Sequence, residues 1–102
     1  MKVHNKLVRD KIPEIIEAAG KQSVTHILSD EEYITALEIK LNEEVSEYQE
    51  DKNIEEMADI LEVLQAICIA RGYTLDQLEE VRANKVQERG GFNEKIFLEY
   101  VE

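Results

Sequence analysis

Positive charge is scarce in this sequence, and the scarcity is local. The 102 residues hold 12 Lys and Arg against 23 Asp and Glu, for a formal charge of -11. Between Asp30 and Glu62 there are 13 acids and only two bases, Lys40 and Lys52, whereas the rest of the chain carries 10 of each. Such a chain has no basic stripe with which to neutralise a DNA or RNA backbone, so polymeric nucleic acid is not an expected partner. Small phosphorylated ligands stay open, because a metal ion reverses the sign of a local acidic cluster. Cysteine is reduced to Cys68, which rules out an internal disulfide; within LEVLQAICIA it reads as a small buried hydrophobe. No apolar run is long enough to span a bilayer, and MKVHNKLVRDKIP lacks the apolar stretch of a signal peptide. The expected location is cytoplasmic, with no membrane partner. There is no internal repeat and no low-complexity stretch, and the length suits one domain, residues 1–102, with a modest core.

What is present is mostly helical pattern. The single Pro13 suits a first helical turn, EIIEAA has helical apolar spacing, and Gly20 offers a stop, which predicts a helix over 13–19. SVTHIL is β-branched and alternating, and reads as a small strand. Ser29 and Glu32 have the spacing of a capping box and open a long helix over 30–51. Its apolar stripe is Ile34, Leu37, Leu41, Val45 and Tyr48, with Glu44 at the edge. A third helix over 53–71 is apolar around most of its circumference and should be buried on several sides. Gly72 ends it, and Thr74 with Gln77 caps a fourth over 75–89. After Gly90-Gly91 the tail FNEKIFLEYV favours a strand in part, so a short β pairing of residues 24–28 with 95–99 is expected beside an otherwise all-α fold.

Two acidic patches interrupt this pattern. In KLNEEVSEY, Glu43, Glu44 and Glu47 fall within an arc of roughly 100° on one helix face, with Lys40 on the same side. On the third helix Glu55, Glu56, Asp59 and Glu62 cluster on one face of the first turns. The link around Lys52 and Asn53 is short, so the two helices should form an antiparallel hairpin in which Glu44 and Glu47 face Glu56 and Asp59. From spacing alone a solvated acidic face is an equal reading. In a partly buried groove, however, carboxylates ~6 Å apart repel by about 3 kcal/mol at an effective dielectric of ~20, and a divalent cation relieves this. Oxygen donors without a suitably placed His or Cys point to Mg²⁺, with Mn²⁺ as substitute, rather than zinc. Neither His4 nor His26 stands in the Glu-x-x-His spacing of a di-iron bundle.

Taken in order, Glu43-Glu44-x-x-Glu47 and then Glu56-x-x-Asp59 resemble the EExxE and ExxD motifs of the MazG-like all-α nucleoside triphosphate pyrophosphohydrolases, which include phosphoribosyl-ATP pyrophosphohydrolase and the dimeric dUTPases. Lys40-Leu41, the run Ala58 to Val63, and KVQERGGF from Lys85 to Phe92 are similar to that pattern. The opening NKLVRDKIPEII is similar to a small house-cleaning branch predicted to remove non-standard nucleotides. The resemblance implies hydrolysis between the α and β phosphates to a nucleoside monophosphate and pyrophosphate. Carried over by position, Glu44, Glu47, Glu56 and Asp59 are the implied Mg²⁺ ligands. Glu43 is either a group supporting them or the base for the attacking water.

Lys85 and Arg89, four apart on the fourth helix, are candidate phosphate ligands, with Asn84 as a weaker substrate contact; the competing reading pairs them with Glu88 or other acids. Lys40 either binds phosphate or offsets Glu43 and Glu44. For Lys6, Arg9 and Lys11 a structural or solvated role is expected. Among Tyr33, Tyr48, Tyr73, Phe92 and Phe97, core packing is the default over stacking on a base. Glu55 and Glu62 are expected to be exposed. A third helix apolar nearly all round calls for a homodimer or homotetramer. The alternative to an enzyme is a catalytically silent helical oligomer that binds nucleotide or metal as a regulatory module.

Overall fold

The computed structural model describes every residue from Met1 to Glu102 and contains four helices: α1 (Ile12–Ala18), α2 (Asp30–Asp51), α3 (Ile54–Ala70) and α4 (Leu75–Arg89). Each boundary has a local cause. Pro13 stands in the first turn of α1, where its missing N–H is not needed. Ser29 accepts from the Glu32 N–H at 3.2 Å while the Glu32 carboxylate accepts from the Ser29 N–H at 3.0 Å, a complete capping box. Thr74 and Gln77 repeat it at the start of α4. Between α2 and α3 the chain reverses over two residues. Lys52 takes the left-handed conformation at φ 56°, and its N–H donates to the Tyr48 carbonyl. Asn53 then caps α3 by accepting from the Glu56 N–H at 2.9 Å. So short a reversal forces α2 and α3 into antiparallel contact.

The core lies along that hairpin and is thin. Leu37 of α2 and Val63 and Cys68 of α3 are its buried apolar residues, and the Cys68 thiol donates to the Thr74 carbonyl at 3.3 Å. Two helices cover only one face of each other, so Ile54, Met57, Leu61, Leu64 and Ile69 of α3 stay exposed. The α4 helix packs only against α3, with every residue exposed, and α1 packs against no other helix. The chain is therefore extended, measuring 61 × 31 × 24 Å with a radius of gyration of 18.1 Å, against about 13 Å for a compact domain of this length.

The expected pairing of residues 24–28 with 95–99 is absent: the fold has no strand. Both segments lack regular structure and, apart from the half-buried Leu28, are solvent-exposed, with Val24, Ile27, Ile96 and Phe97 uncovered. Alternating β-branched residues express a preference for a sheet only where a neighbouring strand and an apolar face are available, and an isolated pair is marginal in water.

Candidate metal centre

The hairpin builds the acidic site from its own register. Glu44 is seven residues after Leu37, and Glu56 seven before Val63, so each carboxylate stands on the stripe that carries a buried apolar residue, two turns closer to the reversal. Glu44 thus lies within the packed face rather than at its edge, and Val45 takes the outer position instead. One turn further on α2 is Glu47, and one turn further on α3 is Asp59. Ligand-capable oxygens of Glu44, Glu47, Glu56 and Asp59 all lie within 4.8 Å of one another. The asparagine cap contributes directly, because it fixes the first turn of α3 on which Glu56 sits.

Burial makes the cluster electrostatically costly. The Glu44 side chain is only 8% exposed, its Oε1 is 3.3 Å from the Lys40 ammonium, and its Oε2 is buried with no hydrogen-bond partner. Glu56 Oε2 is likewise buried and unpartnered. Burial pushes the Glu44 carboxyl above its ordinary value, and a hydrogen bond shared with Glu47 pushes the same way, against the pull of Lys40. Glu56 is raised too, first by burial and then by the charges of Asp59 and Asp51. A hard divalent cation fits this donor set: four carboxylates without nitrogen or sulfur, two with stranded buried oxygens.

The remaining sequence candidates divide by position. Lys40 lies at the site, 3.5 Å from Glu43 Oε2 as well as 3.3 Å from Glu44, so it offsets both acids. Glu43 is held at the rim by that contact and stands outside the group of four. Glu55 and Glu62 are exposed. Lys85, Arg89 and Asn84 are all on α4, exposed; neither cation pairs with an acid of this chain, Glu88 included, and α4 leaves the hairpin from the end of α3 opposite the carboxylates. Tyr33 lines a groove of about 310 Å³ with Glu62, Gln65 and Ile69, sharing no residue with the cluster.

One residue at the site escaped sequence reasoning. The Arg9 guanidinium donates to Asp59 Oδ1 at 2.6 Å, bridging fifty positions of sequence. Nothing in the spacing of Lys6, Arg9 and Lys11 singles Arg9 out, since the contact depends on where the N-terminal segment crosses the hairpin.

No family model and no solved structure matches the chain. A stretch of 41 residues is 58% identical to a protein of Mycolicibacterium smegmatis described as uncharacterized, covering 40% of this chain and 42% of that relative. The chain thus spans under half the length of the relative it matches. No helix is long and apolar enough to cross a membrane.

Proposed function

We propose that this chain is a Mg²⁺-dependent nucleoside triphosphate pyrophosphohydrolase that cleaves between the α and β phosphates of a modified, deoxy or otherwise non-standard nucleotide. The observation that carries this reading is the convergence of Glu44, Glu47, Glu56 and Asp59, with buried oxygens of Glu44 and Glu56 left without a partner. These four residues would hold the cation, with Mn²⁺ as a substitute. Bound there, Mg²⁺ supplies neutralisation of the phosphates and an acidified water. In the reaction a water oxygen bonds to the α phosphorus, the bond from that phosphorus to the bridging oxygen breaks, and the electron pair leaves on pyrophosphate. One water proton goes to a carboxylate. Glu43, at the rim and 41% exposed, is the residue we assign to receive it. Lys40, within ion-pair distance of both Glu43 and Glu44, offsets part of their negative charge.

The working unit in this proposal is a homodimer or homotetramer. Support comes from surface area: the chain exposes 9513 Å², roughly 3600 Å² more than the ~5900 Å² of a compact monomer of its mass. Obligate interfaces bury about 2000–5000 Å² in total. Ile54, Met57, Leu61 and Leu64 recur every three to four residues along α3 and form the face that a second hairpin would cover. Association of this kind also gives Lys85 and Arg89 a route to the carboxylates of a neighbouring copy.

The test is product analysis with a panel of standard and modified nucleoside triphosphates, in Mg²⁺ and in EDTA, separating pyrophosphate from orthophosphate. Metal-dependent release of monophosphate and pyrophosphate is expected, and Glu47→Gln and Asp59→Asn should each abolish it while the helical signal persists. Absence of turnover on every substrate, with Mg²⁺-dependent thermal stabilisation, favours the silent binding module instead. Retained turnover in both variants overturns the site.

A further inference from the structure

The N-terminal segment ahead of α1 carries Lys2, Lys6, Arg9 and Lys11, and of these only Arg9 pairs with an acid, through the 2.6 Å contact with Asp59. Its position is set by the backbone. The Ile12 N–H donates to the Arg9 carbonyl at 3.1 Å, tying Arg9 into the turn that starts α1, and the preceding Leu7 and Val8 are half-buried. The contact itself is exchangeable: the side chains of Arg9 and Asp59 are 57% and 37% exposed, and pairs this open to water add little to a fold. An arginine placed by its backbone, yet held by a weak pair to one of four converging carboxylates, is poised to change partner.

Charge decides which partner. The carboxylates of Glu43, Glu44, Glu47, Glu56 and Asp59 face two cations in this chain, Lys40 and Arg9. A divalent cation taking Asp59 puts a like charge against the guanidinium and removes its acceptor, so the pair opens. The nearest new acceptor is then whatever anion the cation brings, and a guanidinium fork matches two phosphate oxygens at once. Lys40 cannot do the same without uncovering the buried Glu44, and Lys85 and Arg89 form no ion pair with any acid within one chain.

We propose that Arg9 is a phosphate-binding residue of this site, held on Asp59 until a divalent cation takes that carboxylate and then released onto the phosphate chain of the substrate. The assignment rests on the metal reading above and extends it to a residue outside both acidic motifs. It is tested in the full chain with Arg9→Gln and Arg9→Lys, titrating first with Mn²⁺ alone and then with pyrophosphate at saturating Mn²⁺. Freed of the competing pair, Arg9→Gln should bind Mn²⁺ about two- to five-fold more tightly. It should bind pyrophosphate about tenfold or more weakly, as expected for a lost charge-assisted contact, with Arg9→Lys between it and the parent. In turnover the same loss appears in KM more than in kcat. Unchanged Mn²⁺ and pyrophosphate affinities in Arg9→Gln, or weaker Mn²⁺ binding, overturn the role of Arg9 while the metal reading stands. Failure of the unsubstituted protein to bind Mn²⁺ overturns the metal reading, and this role with it.

Discussion

Replacing Glu44 by glutamine keeps the shape of the side chain and removes one charge from the centre of the cluster. Three other carboxylates have oxygens within 4.8 Å of it. At that separation an ionised neighbour repels Glu44 by about 3.5 kcal/mol at an effective dielectric of ~20, and by about 1 kcal/mol in bulk water. Lys40, at 3.3 Å, offsets about one and a half such neighbours on the same Coulomb scale. The balance remains repulsive, and because Glu47 leaves one side of the cluster open to solvent the lower part of the range applies. A gain of about 1–2 kcal/mol is expected for the metal-free protein at about pH 8, corresponding to roughly 5–10 °C in Tm for a domain of this size. The glutamine NH₂ adds to this by donating to a carboxylate that has no donor in the parent. Thermal melting followed by circular dichroism, at matched protein concentration in EDTA and in Mg²⁺, reads both consequences. Glu44→Gln should melt higher than the parent in EDTA and gain less on adding Mg²⁺. A lower Tm in EDTA, or an undiminished response to Mg²⁺, refutes the electrostatic reasoning.

The pH dependence of the metal-free protein should change sign near the ordinary carboxyl value of 4.5. Glu44 and Glu56 are raised above it on folding, so between 4.5 and their folded values the native chain holds more protons than the unfolded one and stability falls as pH rises. Below 4.5 the opposite holds, because Glu32 and Glu79 are lowered by hydrogen bonds to Ser29 and Arg82, and their contribution disappears as pH falls through the folded values. Urea midpoints measured across pH in EDTA test this, and stability climbing steadily above 4.5 contradicts it. Since cation binding must expel the protons on Glu44 and Glu56, the enthalpy of Mg²⁺ binding at mildly acidic pH should depend on the ionisation enthalpy of the buffer. Leu61→Glu, at a position 54% exposed in the single chain, should convert the proposed oligomer to monomers in sedimentation velocity; a parent protein that already sediments as an 11.8 kDa monomer removes the basis for an oligomer.

Much of the site was legible before folding is considered, because its parts are local. Glu44 and Glu47 share a face through the three-residue spacing of one helix, as do Glu56 and Asp59, and the two-residue link through Lys52 and Asn53 leaves an antiparallel return as the simplest path. Position within a face was harder to read. Glu44 and Val45 are neighbours in sequence, and hydropathy alone favours burying the valine; the register of α3 buries the glutamate instead. Segments 24–28 and 95–99 carry a strand pattern, but pattern supplies no partner, and in this chain neither segment meets one.

The amino-acid sequence by itself determined where α2 and α4 begin and end and placed α1 and α3 to within a residue, because caps and stops act over three or four residues: Ser29 with Glu32, Thr74 with Gln77, and Gly90 after Arg89. It also determined that four carboxylates would ride on two helices joined by a tight reversal. Tertiary structure alone decided that Glu44 and Glu56 end with buried, partnerless oxygens, that Arg9 lies on Asp59, and that Lys85 and Arg89 stay exposed on α4 without an acid partner. Those outcomes depend on which faces pack and how segments fifty residues apart cross. They are settled by desolvation and Coulomb energies between residues distant in sequence, which short-range spacing does not encode.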